Sequence, residues 1–154
     1  MANEFLDRVA AARQDELQAN AMYNQMAGIA PSRELSLIVA SIAEDEYNHA
    51  RILATILAEE EGGWEDLEEL GEELHSRATG TWWRRTAPPP QADPSRFRRM
   101  AEEAVRDELD AVCDYAVLAR LSPSTEKRLI LLSILGDEYG HARTLITMLS
   151  ELGR

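Results

Sequence analysis

The chain has 154 residues, a formal net charge of −12 at pH 7 and one cysteine. This length is enough to bury a core in a single domain, 1–154, and one cysteine excludes both an intrachain disulfide and a four-cysteine metal site. The acidic charge argues against nucleic acid as a partner, because phosphate binding needs basic residues. The sequence shows neither a signal peptide nor a membrane-spanning apolar run, so we expect no membrane association and a cytoplasmic location.

The spacing of apolar residues predicts four helices, over about 4–28, 32–60, 95–121 and 123–152. Gly28 to Pro31 separate the first two, and Pro31 suits the first turn of the second helix. Ser122 is the predicted N-cap of the fourth helix, with Pro123 at its first position. The chain therefore contains two helical hairpins, 4–60 and 95–152, and belongs to the all-α class.

A segment over 62–94 joins the hairpins and is too long for a tight helix–helix turn. It is long enough to cross the length of a bundle. The second and third helices are then parallel, and an approximate two-fold axis relates the hairpins. Within this crossover, Trp82-Trp83-Arg84-Arg85 is expected to cap the bundle or to seal a dimer contact, since the overall field is acidic.

The two hairpins are copies of each other. Residues 13–60 align with 105–152 at a constant offset of 92, without a gap, and 23 of the 48 pairs are identical. The longest match pairs 45–51 with 137–143. Each copy supplies one Glu and, 30 residues later, a Glu-x-x-His motif.

This repeated motif predicts a dinuclear metal site. Glu16 lies about 12 residues before the first turn and Glu46 about 14 residues after it, so their side chains are at similar heights in the bundle. A Glu and a His three residues apart share one helix face. Six buried ionisable groups without a metal would carry a large desolvation cost. The candidate ligands are Glu16, Glu46, His49, Glu108, Glu138 and His141.

Two tyrosines and the single cysteine also lie on the helices predicted to carry one glutamate each. Tyr23 and Tyr115 lie seven residues after Glu16 and Glu108, on the same inward stripe. They either hydrogen-bond a ligand carboxylate, relay an electron, or simply pack. Cys113 lies about 140° around its helix from Glu108, so it is expected in the core or at an interface and not as a ligand.

These motifs resemble the ligand pattern of the ferritin-like dimetal-carboxylate superfamily, and most of all the diiron domain of rubrerythrins. The resemblance covers the four helices but not the crossover. It implies two metal ions per chain, bridged by Glu46 and Glu138, with iron favoured and manganese as the alternative. The remaining ligands would complete one ion each, Glu16 with His49 and Glu108 with His141.

Two aspartates are predicted to orient the histidines. Asp45 and Asp137 each lie four residues before a histidine. The expected pairs are crossed between hairpins, Asp45 with His141 and Asp137 with His49, at about 3.2 Å from the nitrogen that does not bind metal. The alternatives are that each Asp pairs with the histidine of its own helix, or faces solvent.

The resemblance implies an oxidoreductase that reacts with hydrogen peroxide or dioxygen. The alternatives are iron(II) oxidation and storage, as in ferritins, or a bundle that binds metal only for stability. Rubrerythrins carry a four-cysteine rubredoxin domain, which this chain lacks, so a separate electron donor is expected. They also carry an extra Glu where this chain has Ala111, which leaves a symmetric six-ligand site. A homodimer or larger homo-oligomer is expected.

Overall fold

A computed structural model of the protein describes residues 2–61 and 92–153, and these residues form four long helices. They are α1 (Ala2–Ile29), α2 (Arg33–Glu61), α3 (Pro94–Leu121) and α4 (Thr125–Leu152), close to the predicted bounds. None of them is long and apolar enough to cross a membrane.

The helices are arranged as two hairpins. Contacts of α1 with α2, and of α3 with α4, are far more extensive than contacts between the hairpins. The backbone N–H of Asp93 donates to the carbonyl of Ile29 at 3.0 Å, so α3 begins beside the end of α1. Helices α1 and α3 are therefore antiparallel, which makes α2 and α3 parallel. The predicted all-α bundle of two hairpins is confirmed, while 62–91 of the crossover, with Trp82-Trp83-Arg84-Arg85, lie outside the described residues.

Matching serines begin the second helix of each hairpin. The hydroxyl oxygens of Ser32 and Ser124 each accept a hydrogen bond at 3.2 Å from the backbone N–H three residues later. The prediction that Ser122 caps the fourth helix is wrong: Ser124 is its N-cap and Ser122 follows the end of α3. Pro31 and Pro123 each precede the cap, so neither stands in the first helical turn.

The core divides into two apolar clusters with a charged layer between them. One cluster lies toward the turn of the first hairpin and includes Tyr23, Met26, Val39, Phe97 and Leu145. The other lies toward the opposite end and includes Phe5, Val9, Leu53, Tyr115 and Ile134. Each helix contributes to both clusters, and its buried Glu lies between its two contributions. The two apolar clusters thus shield the charged layer from water at both ends of the bundle.

Candidate metal centre

All six predicted ligand candidates lie in this polar layer. Helices α1 and α3 contribute one Glu each, and α2 and α4 contribute a Glu and a His one turn apart. All six side chains are buried, and the most accessible of these residues, His141, is 7% exposed. The structure therefore brings together Glu16, Glu46, His49, Glu108, Glu138 and His141.

The six residues form two overlapping groups of four. Within each group, one ligand atom per residue lies within 4.8 Å of the others, and Glu46 and Glu138 belong to both groups. The Oε2 atom of Glu46 is 3.4 Å from His49 Nδ1, while its Oε1 atom is 3.1 Å from His141 Nδ1. Glu138 is shared in the same manner, at 2.9 Å and 3.4 Å. Each shared carboxylate thus offers one oxygen to each group, as a bridging ligand does.

Buried atoms without hydrogen-bond partners test whether these residues fit metal ions. Four atoms of the cluster are inaccessible and make no hydrogen bond to any described residue, although they are close to one another. Such groups are costly to bury unless something else satisfies them. Converging carboxylate oxygens and imidazole nitrogens would be satisfied by cations, so the donor set fits a pair of them. The four atoms are Glu46 Oε1, His49 Nδ1, Glu138 Oε1 and His141 Nδ1.

The outer nitrogen of each histidine faces an aspartate of the other hairpin. His49 Nε2 is 3.4 Å from Asp137 Oδ2, and His141 Nε2 is 3.4 Å from Asp45 Oδ2. The crossed arrangement is the predicted one, at distances slightly above the predicted 3.2 Å. Both aspartates are about half exposed, so each contact lies at the edge of the bundle.

The two tyrosine hydroxyls also cross between hairpins. Tyr23 donates a hydrogen bond to Glu108, and Tyr115 donates to Glu16. Burial, followed by the charge of the accepting Glu, raises the pKa of both phenols. The hydroxyls therefore stay protonated and act as donors. Of the three possibilities left open by the sequence, the structure shows the hydrogen bond to a candidate ligand.

The burial and the charges of the cluster residues strongly shift their pKa values. Burial lowers the pKa of His49, but the surrounding carboxylates, led by Glu138, outweigh it and raise the pKa to about 12. Burial raises the pKa of Glu46 to about 8 and that of Glu108 to about 7. Burial also raises the pKa of Glu138, but its contacts with both imidazoles outweigh burial and lower this pKa to about 2. Without metal, the cluster holds protons that a bound cation would displace.

A cavity of about 540 Å³ lies between α1 and α3 and opens onto the cluster. All four glutamates of the cluster line it, while neither histidine does. The alanines one turn after the ligand glutamates of α1 and α3 form part of its wall. The other lining residues are Asp15, Gln18, Ala19, Met22, Tyr23, Asp107 and Ala111.

Some features of this region were not predicted. Asp15 and Asp107 are identical in the two repeats, yet no role was predicted for them, and both line the cavity. Their identity within the repeated Asp-Glu-Leu was the available signal. Cys113 is exposed, so of its two predicted locations the core is wrong, and an interface stays a prediction. Its side chain lies on the part of α3 that faces away from the buried stripe.

A bundle of two antiparallel hairpins with a Glu from each helix and two Glu-x-x-His motifs defines the ferritin-like class of dimetal-carboxylate proteins. The family model for rubrerythrin matches residues 7–149. The chain therefore belongs to the rubrerythrin family. Comparisons with curated proteins and with solved structures gave no significant match.

Proposed function

We propose that this protein is a diiron oxidoreductase that reacts with hydrogen peroxide or dioxygen and receives electrons from a separate donor protein. The observation that carries the proposal is the pair of four-residue groups that share Glu46 and Glu138. Four carboxylates balance the charge of two divalent cations. Mixed oxygen and imidazole ligation suits iron(II), with manganese(II) as the alternative.

Bound iron would supply the electrons that reduce the oxidant. The protein's own residues would prepare the site for this chemistry. Asp45 and Asp137 hold the outer N–H of each imidazole, which leaves Nδ1 free to bind metal. Tyr23 and Tyr115 hold the carboxylates of Glu108 and Glu16 in fixed orientations.

The residues around the site limit its contact with water and leave a path for the oxidant. The apolar clusters above and below the site exclude water along the bundle axis. The cavity between α1 and α3 leaves an approach on the carboxylate side. Among the described residues, this cavity offers oxidants an approach to the carboxylates, while Asp45 and Asp137 lie beside the outer nitrogens of the two histidines.

Stopped-flow mixing of the anaerobic iron(II) protein with each oxidant tests the proposal. We expect about two irons per chain and a rise in near-ultraviolet absorbance within the first turnover, followed by repeated turnover when a reductant is present. Glu138→Gln should lose iron and reactivity. Glu102→Gln, an exposed residue of α3 paired with Arg98, is the matched control and should keep both.

Other outcomes would select the alternatives. Repeated iron(II) oxidation with mineral accumulation in a large assembly would favour iron storage. Absence of reaction with either oxidant, in protein that holds two irons, would reduce the site to a stabilising role. Size-exclusion chromatography with light scattering on the same samples would also test the proposed homodimer or larger oligomer.

A further inference from the structure

Both repeats contribute to the cavity beside the cluster, with four pairs of equivalent residues, while Gln18, Met22 and Tyr23 line it from the first repeat alone. Ala19 and Ala111 occupy equivalent positions, three residues after Glu16 and Glu108, and both line the cavity. A residue three positions later lies about one turn further along the same helix face. Larger side chains at these two positions would extend into the space above the carboxylates. Small side chains in both repeats thus keep this space open.

The cavity is much larger than hydrogen peroxide or dioxygen requires. Its volume is about 540 Å³. A water molecule, comparable in size to these oxidants, occupies about 30 Å³ in the liquid. Pockets that bind small organic molecules measure roughly 300–1,000 Å³. The space beside the cluster is therefore of the size that accommodates an organic group.

The lining residues restrict the charge of an occupant. Asp15 and Asp107 are exposed and stand at the open end, and the four cluster glutamates form the inner end. No cationic side chain lines the cavity among the described residues. With the glutamates neutralised by bound cations, an anionic molecule would still meet the exposed carboxylates of Asp15 and Asp107 at the open end. Met22 and the two alanines supply apolar contacts between these ends.

We propose that this cavity binds the organic part of an uncharged hydroperoxide, ROOH, and that Ala19 and Ala111 limit the size of R. The inference rests on the peroxide chemistry proposed above. In the reaction the O–O bond breaks, and ROOH takes up two electrons and two protons to give ROH and water. Iron held by the cluster would supply the two electrons, and a separate redox protein would restore them.

Binding is tested without redox chemistry on the full chain loaded with zinc, its metal content verified. The probe is 2-phenyl-2-propanol, the alcohol product of cumene hydroperoxide, titrated by calorimetry or by NMR. We expect saturable binding to the wild type. Ala111→Leu, which puts an isobutyl group in the cavity, should weaken binding about tenfold or more. Ala116→Leu is the matched control, because Ala116 is exposed on the same helix and does not line the cavity.

The reaction itself gives a second readout. With the reduced iron protein, Ala111→Leu should slow reaction with cumene hydroperoxide about tenfold or more and change the rate with hydrogen peroxide far less. Failure of the wild type to bind the alcohol, or equal binding by both leucine variants, would overturn the cavity assignment. Reaction with hydrogen peroxide but no alcohol binding would refute this proposal alone. Alcohol binding without any peroxide reaction would instead refute the proposed function.

Discussion

At each histidine the outer ring nitrogen faces an aspartate that belongs to the opposite hairpin. The two contacts, Asp137 with His49 and Asp45 with His141, have the same length of 3.4 Å. A carboxylate at this position holds the N–H on Nε2 and leaves the lone pair of Nδ1 directed at the cluster. We therefore expect the aspartates to set which nitrogen is available to a metal.

We expect Asp137→Asn to weaken metal retention about tenfold or more without unfolding the bundle, because the amide is a weaker acceptor for the imidazole N–H. Competition with a coloured chelator measures the retention. Glu44→Gln is the control, since Glu44 is exposed on α2 and contacts neither histidine. Equal retention by Asp137→Asn and the wild type would contradict an orienting role.

Tyr23 and its repeat partner supply buried donors to the cluster carboxylates. Tyr23→Phe leaves the carboxylate of Glu108 without this donor while preserving the ring that packs in the core. We expect the free energy of unfolding of the metal-free protein to fall by about 2 kcal/mol, measured by urea denaturation. The control is Tyr139→Phe, because Tyr139 is 53% exposed. No difference between the two variants would show that the hydrogen bond contributes nothing.

The sequence predicted which residues come together in the cluster but not all of their hydrogen-bond partners. Spacing along a helix determines which side chains share a face, so Glu46 with His49 could be predicted directly. The internal repeat then predicted the equivalent residues of the second hairpin. The partner of Tyr23 depends on how the hairpins dock, and helical spacing alone does not contain that information. Helical spacing therefore does not choose among the three possible roles of the tyrosines.

At the scale of elements, the helix starts show a similar limit. Ser122 and Ser124 flank Pro123, and both are residue types that favour N-caps. The extended backbone of Ser124, with φ −131° and ψ 155°, makes it the cap. The cavity between α1 and α3 could not be predicted from the sequence either. Its width depends on the separation of two helices that no turn connects.

Ser124→Ala should lower the free energy of unfolding by about 1 kcal/mol, because the backbone N–H of Lys127 loses its acceptor. Ser133→Ala provides the comparison. Ser133 is exposed within α4, where alanine is the better helix former, so this change should not destabilise the protein. Chemical denaturation of both variants measures the difference, and equal effects would rule out capping by Ser124.

For the whole molecule, the metal-free cluster links stability to pH. Burial raises the pKa of Glu46 from 4.5 to about 8. The carboxylates around His49 outweigh burial and raise its pKa from 6.5 to about 12. At pH values between the ordinary and the raised pKa of each group, the folded protein holds a proton that the unfolded chain releases. Stability therefore falls as pH rises through them.

The metal-free protein should accordingly melt at a higher temperature at about pH 5 than at about pH 8, by roughly 3 °C or more. Glu138 does not reverse this, because its pKa is lowered to about 2 and its contribution is complete above about pH 5. In metal-loaded protein, cations replace the protons, and the melting temperature should be higher and less dependent on acidity. A metal-free protein that melts higher at the alkaline end would contradict the protonated cluster.

The crossed contacts also bear on the ancestry of the chain. Every bond across the centre is reciprocal, so two identical hairpins in a symmetric pair could make the same set. Fusion of such a pair removes the requirement that both copies keep the same residue. Lys127 illustrates this freedom, because its Nζ atom lies 2.9 Å from Oε1 of Glu60 in the first hairpin. Its repeat equivalent, Leu35, packs against the core instead. Positions where the copies differ are those that duplication left free to specialise, while the shared centre kept its symmetry.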